Sequence, residues 1–213
     1  MRPLSAEELV DLDRYAGLRD AYRAAVIAHK RSRRVSVGEK VTLVFEDRET
    51  LRFQVQEMLW VERIRSPRAV QHELDVYNEL MPGAHELSAT LFIEITERER
   101  IREELDRLIG IDEHVCLVMG EGEREERIPA RFDPKQMEEE RIAAVHYVRF
   151  ALEEPQVERF ADLRCPLRLR IDHPSYRRET PLAPETRASL LGDLCGEPEA
   201  LLTPDGCIAA GRG

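Results

Sequence analysis

The chain predicts an α+β protein, with a helical N-terminal part carrying one β-hairpin packed on a mixed, largely antiparallel sheet domain. Three observations point there. Apolar stripes of helical period and short stretches of alternating period both occur, but they do not follow the strict strand–helix repeat that builds a parallel sheet. Charged residues make up 35% of the chain and aromatics only 6%, a balance that suits small helices and narrow sheets better than a deep cavity. At 213 residues and 42% apolar, the chain has enough material for a real core. The pattern divides the chain into a helical part over residues 1–86, a sheet domain over 87–195 and a flexible tail over 196–213.

Ser5 and Glu8 have the S-x-x-E spacing of a capping box and predict a helix start at "SAEELVDLDRYA". In "LRDAYRAAVIAHKRSRR", Leu18, Tyr22, Val26 and His29 fall on one helical face. The cations Lys30, Arg31, Arg33 and Arg34 follow in its last turn, where they complement the helix dipole, and Gly38 marks the break. "KVTLVFEDRETLRFQV" alternates about Asp47, Arg48 and Glu49 and predicts a hairpin of two strands. The helix after it lines up Gln54, Glu57, Val61 and Ile64. "SPRAVQHELDVYNELMPG" reads as a further helix with Pro67 in its first turn and a stripe of Ala69, Glu73, Tyr77 and Leu80.

From Leu87 onward strands become prominent. "ATLFIEI" and "HVCLVMG" read as strands, with an amphipathic helix between them that ends at Gly110. "IPARF" and an acidic helical patch, "KQMEEER", come next. "IAAVHYVRFAL" predicts the longest strand, with Ile142, Ala144, His146, Val148 and Phe150 on one face. "EPQVERFADL" is a short helix, "CPLRLRI" a strand with Leu167, Leu169 and Ile171 inward, and "PETRASLLGDL" a last helix begun by Pro184. Past Cys195 the Gly-, Pro- and Ala-rich sequence has no period, as expected of a frayed tail.

A formal net charge of −10 repels phosphate backbones and anionic lipid and argues against general nucleic-acid binding. No apolar run approaches the roughly 20 residues that span a bilayer, and the N-terminus lacks an export signal, so a cytoplasmic protein with no membrane partner is expected. Cys116, Cys165, Cys195 and Cys207 contain no C-x-x-C pair, the spacing that would suggest zinc, an iron–sulfur cluster or a redox dithiol. Phosphate-loop, dinucleotide, nucleophile-elbow and zincin motifs are absent as well.

The candidate functional residues are therefore polar groups on or beside apolar helix stripes: His29, Gln54, Glu57, Glu73 and Tyr77. Packed together in a poorly solvated place, they must find partners. In one reading, Glu57 and Glu73 accept bonds from Arg63, Arg34 or backbone amides. In the other, His29, Glu57 and Glu73 hold a divalent metal, since iron and manganese accept mixed imidazole and carboxylate ligands. His146, on the inward face of a strand, and His173, beside Asp172 in "IDHPSY", are further acid–base candidates.

At "RYAGLRDAYRAAVIAHKRSRRVSVG", "FEDRETLRFQVQEMLWVERI", "HELDVYNELMPG", "VHYVRFAL" and "IDHPSY" the chain resembles a bacterial domain-of-unknown-function family, DUF3501, over nearly its whole length. The resemblance confers no activity and no assigned residues. Members of that family are often encoded beside rubrerythrin and an iron–sulfur oxidoreductase, so the resemblance implies a redox or peroxide-defence setting, with any cluster on the partner. The expected function is thus a cytoplasmic accessory or binding protein, with a metal-dependent enzyme using His29, Glu57 and Glu73 as the competing reading.

Overall fold

Nine strands and six α-helices make up the computed structural model, which describes residues 1–136, 142–196 and 201–202. After a short helical turn at Ala6–Glu8, helix α1 runs over Leu12–Arg31, with Asp11 capping its first turn. Strands β1 (Arg34–Val37) and β2 (Val41–Glu46) form a hairpin, and helices α2 (Arg48–Val61) and α3 (Pro67–Asn78) follow. Strand β3 (Glu86–Ile93) leads to the short helix α4 (Ile101–Asp106) and to β4 (Val115–Met119), β5 (Glu126–Pro129), β6 (Arg131–Phe132) and β7 (Val145–Ala151). Helix α5 (Glu154–Ala161), strands β8 (Leu167–His173) and β9 (Tyr176–Pro181) and helix α6 (Pro184–Cys195) complete the order.

The strands form two sheets, ordered β1-β2-β3-β7-β6 and β5-β4-β8-β9, and every ladder is antiparallel. The largely antiparallel pairing expected from the sequence holds, and it is divided between two separate sheets. Their inner faces share one core. Leu43, Phe45, Leu87, Leu91, Val148 and Phe150 meet Leu117, Met119, Leu169 and Ile171 there, with Phe160, Leu190 and Leu194 from α5 and α6. The sheets also touch at both margins. The chain passes from β5 into β6 through Ala130, whose N–H donates to the Val115 carbonyl. On the other side the Tyr176 hydroxyl donates to the Val37 carbonyl at 2.7 Å and accepts from the Lys40 amide at 3.0 Å.

The alternation expected over residues 142–152 holds within β7, where His146, Val148 and Phe150 are buried. In β8, Leu167, Leu169 and Ile171 point inward as expected. The N-terminal hairpin, however, lies one strand earlier than the sequence suggests. Asp47 does not sit in a turn but caps α2: Thr50 N–H donates to its carboxylate at 2.8 Å, and its own N–H donates to Thr50 Oγ1 at 2.9 Å. "TLRFQV" has a strand-like composition, yet Leu51, Val55 and Leu59 lie on one helical face and join Leu4, Leu12, Leu74 and Met81 in a second core. Tertiary burial of that face overrides local propensity.

Other departures are smaller. The capping box of Ser5 and Glu8 starts a short helical turn over Ala6–Glu8, with Glu8 accepting from the Ser5 amide, and the long helix begins separately at Leu12. Ile101, expected on a buried stripe, is 39% exposed, whereas Leu105 and Leu108 are buried. Strand β9 was not anticipated; it pairs with β8 through the turn in "IDHPSY". Of the expected tail, Leu201 and Leu202 are buried against Val10, Tyr15, Tyr22 and Val26, and residues 197–200 and 203–213 lie outside the described residues, as does most of "KQMEEER". The hairpin β1–β2 belongs to the same sheet as β3 and β7, so hydrogen-bonded pairing crosses the division expected at residue 86. Helices α2 and α3 build the second core, and a polar layer at the outer face of that sheet reaches α2, described below.

The β1–β2 turn rests on Gly38, at φ +75°. A β-carbon there would lie 2.5 Å from Arg178 Cγ and from the Tyr176 hydroxyl, whereas one at Gly110, φ +87°, would meet nothing within 4 Å. Gly110→Ala should therefore cost only the left-handed backbone penalty, about 1–2 kcal/mol. Gly38→Ala should cost more, because the Tyr176 bridge between the sheets must move. Urea unfolding of the two variants checks the order, and equal losses would show that the margin yields freely.

Candidate functional site

Seven-residue spacing along α1 places Tyr15, Tyr22 and His29 on one face, since seven residues make nearly two helical turns. Each meets a carboxylate of the neighbouring α2 segment, and each carboxylate also meets an arginine. The Tyr15 hydroxyl donates to Glu57 at 2.7 Å, and Arg19 donates to both Glu57 oxygens at 2.8 and 2.7 Å. The Tyr22 hydroxyl donates to Glu49 at 2.5 Å, and Arg52 holds both oxygens of that group at 2.8 and 2.6 Å. His29 Nε2 lies 2.6 Å from Asp47, whose carboxylate is 3.3 Å from Arg33. Carboxylates thus enter this interface only in company, as the cost of burying an unpaired charge requires.

Arg33 is the most enclosed of the charged groups here, at 1% exposure. Its guanidinium donates to the Phe45 carbonyl at 3.0 Å and to Ser189 Oγ at 2.9 Å, and it pairs with Asp193 of α6 as well as with Asp47. One cation therefore serves two buried carboxylates, and the two titrate apart. Burial works against ionisation of Asp47, but Arg33, His29 and the Thr50 amide hold its carboxyl down at about 2. Burial, with the Asp47 charge nearby, pushes Asp193 up to about 6 in spite of Arg33.

Glu46 forms an adjoining polar layer on the outer face of the five-stranded sheet. It accepts from Gln54 Nε2 at 3.0 Å and Thr90 Oγ1 at 2.8 Å, and Lys30 Nζ lies 3.4 Å away. Tyr77 and Tyr147 both feel its charge, and burial, the larger cause, raises the pKa of each phenol. Gln56 ties the N-terminal segment down, accepting from the Val10 amide and donating to the Val10 carbonyl, both at 2.9 Å.

The structure separates the residues expected to hold a metal. Arg19, the partner of Glu57, lies ten residues before His29 on the same helix, about 15 Å along its axis. Glu57 and His29 therefore serve different ends of the α1–α2 interface. Glu73 is half-buried on α3, where its charge acts on Tyr77 one turn on. Among the described residues no three His, Cys, Asp or Glu side chains form a metal-holding group. Gln54 bonds Glu46, whose charge also acts on Tyr77. His146 is wholly buried: its Nε2 lies 2.8 Å from the Ala143 carbonyl, Nδ1 has no partner, and burial lowers its pKa. His173 bridges the Ile109 carbonyl, at 3.0 Å, and the Ser175 amide, at 3.2 Å, with His114 edge-on to its ring. Cys116, Cys165 and Cys195 are free thiols.

Sequence reasoning missed Asp47, Arg33 and Asp193 as a unit. Asp193 is 160 positions from Arg33 and carries no local signal. The heptad of Tyr15, Tyr22 and His29 was legible, had polar donors been counted along with apolar residues.

Open space lies elsewhere. A cleft of about 570 Å³ between the start of α1 and the end of α2 is lined by Leu12, Asp13, Ala16, Trp60, Val61, Arg63 and Arg65. Val61 is 64% exposed, and Arg63 adopts φ +54° in the turn that ends α2. A smaller cleft, of about 230 Å³, lies between the end of α3 and strands β6 and β7.

The family described as "Protein of unknown function (DUF3501)" matches residues 3–194. A crystal structure of a protein of unknown function from Burkholderia pseudomallei is similar with a TM-score of 0.83 and 36% identity, covering 91% of this chain and 100% of that one. No curated protein matches.

Two outcomes follow from the α1–α2 interface. Glu57→Ala should destabilise by about 1–3 kcal/mol, because the Tyr15 hydroxyl, on a wholly buried side chain, loses its acceptor. An unchanged thermal midpoint would count against that pairing. Asp193 has a folded pKa raised from 3.8 to about 6, so its contribution favours folding below pH 4 and is lost as pH rises to 6. The full swing is about 3 kcal/mol, at about 1.36 kcal/mol per pKa unit. Relative to Asp193→Asn, the natural protein should therefore be more stable at pH 4 than at pH 7. A stability difference that does not change with pH in urea titrations would refute it.

Proposed function

We propose a binding role for this chain, which belongs to the DUF3501 family: an accessory protein that docks a partner on the cleft between α1 and α2. The observation that carries this reading is the contrast between the interior and that cleft. Inside, His29, Glu57, Glu49 and Asp47 are each taken up by an internal partner. Outside, Trp60 and the exposed Val61 offer apolar surface beside Arg63, and such an anchor-and-rim arrangement suits a protein interface. Among the described residues Arg63 makes no ion pair, so its charge is available to an acidic partner. Arg65 is already held by Asp13 at 2.6 Å.

A redox or peroxide-defence setting, with rubrerythrin or an iron–sulfur oxidoreductase as the partner, rests on the family resemblance. The cytoplasm as location rests on the sequence; in the described residues no helix is long and apolar enough to cross a membrane. Docking on the helical part is supported by the separate core that α2 and α3 build.

Val61→Glu should abolish capture of the partner when tagged protein is drawn from the native host, while leaving the melting temperature within about 1 °C, since exposed substitutions usually cost little. Capture of the same partner by the variant would exclude the cleft. Melting with chelator and then with iron, manganese or zinc tests the competing reading. A saturable rise lost in His29→Ala, worth about 2.7 kcal/mol at a hundredfold excess of metal over its dissociation constant, would favour a metal enzyme.

A further inference from the structure

Strands β6 and β7 place Arg131 directly opposite Arg149. Like charges facing each other across an antiparallel ladder disfavour folding unless something offsets them. Arg149 is offset within the fold: it donates to the Glu79 and Met81 carbonyls at the end of α3 and to Glu86 at 2.5 Å. Arg131 is exposed and, among the described residues, has no partner. Both line the smaller cleft.

The rest of that cleft is mixed in character, with a phenol, two carboxylates and an apolar wall. Tyr147 contributes a half-buried phenol whose hydroxyl bonds to none of the described residues. Burial, with the Glu46 and Asp133 charges nearby, raises its pKa, so it stays protonated and can donate. Two carboxylates also stand at the cleft, Glu79 and Asp133, and each has an interaction of its own. Leu80, Phe132 and Pro134 form an apolar wall. At about 230 Å³ the space is below the range of drug-sized sites and fits a small molecule.

We propose that this cleft binds a small organic anion, its oxyanion head held by Arg131 and the Tyr147 hydroxyl and its apolar body laid against Leu80, Phe132 and Pro134. Arginine beside a phenol recognises a carboxylate or phosphate head by charge-assisted hydrogen bonds. The apolar wall distinguishes an organic anion from the bare ion. The site does not depend on the α1–α2 cleft, which other elements line.

The test uses the full chain, sodium benzoate and inorganic phosphate, each against sodium chloride of equal ionic strength, read by thermal shift and calorimetry. Benzoate should bind saturably and at lower concentration than phosphate. Arg131→Gln, at an exposed position, should leave the fold intact and weaken benzoate by about tenfold or more, the equivalent of one charge-assisted hydrogen bond. Tyr147→Phe should weaken it less, and Val61→Glu, at the other cleft, not at all. The proposal is overturned if neither anion shifts the midpoint beyond the chloride control, if phosphate binds as well as benzoate, or if binding survives Arg131→Gln.

Discussion

Burial of a single guanidinium, that of Arg33, organises the region where helices and sheets meet. It follows α1, precedes β1, bonds the end of strand β2 through the Phe45 carbonyl, and pairs with the cap of α2 and with α6. An arginine at 1% exposure is tolerable only if its donors and its charge are both answered. Asp47 and Asp193 supply the charge, and Ser189 and Phe45 complete the bonding. Four elements must therefore arrive together before the cation can leave water. That requirement makes the joint specific, and it explains why a carboxylate as enclosed as Asp193 is retained although its ionisation is costly.

The same logic repeats along α1. A phenol or imidazole at every seventh residue gives α2 a polar partner at each level, where leucines would have made an ordinary apolar seam. Polar pairs of this kind contribute little net stability, but they penalise misregister heavily, because a slipped helix leaves buried carboxylates unanswered. The α1–α2 pair is thereby locked in one register. His29 and Glu57, two of the three residues that the sequence offered as metal ligands, are among the groups that fix that register, whereas Glu73 stands apart on α3.

Arg187 illustrates a second use of a buried cation. It donates to the carbonyls of Arg159, Phe160, Asp162 and Cys165, which gather at the end of α5. Those carbonyls carry the negative end of the helix dipole, so the guanidinium acts as a cap in place of a carboxylate partner. Charge-rich composition is thus spent in the interior as well as on the surface.

By itself the sequence determined the α+β class, most helices and strands, the inward faces of β7 and β8 and Pro-initiated α3 and α6. Those features depend on residues within a few positions of one another. Tertiary structure alone decided that "TLRFQV" is helical, because the Asp47 cap and the packing of Leu51, Val55 and Leu59 outweigh strand propensity. It also decided that Glu57 belongs to Tyr15 and Arg19 rather than to His29, and that Arg131 faces Arg149. Periodicity says which face a side chain occupies, but not which element covers that face. For a polar residue the covering element sets the partner, and the partner separates a structural tie from a site.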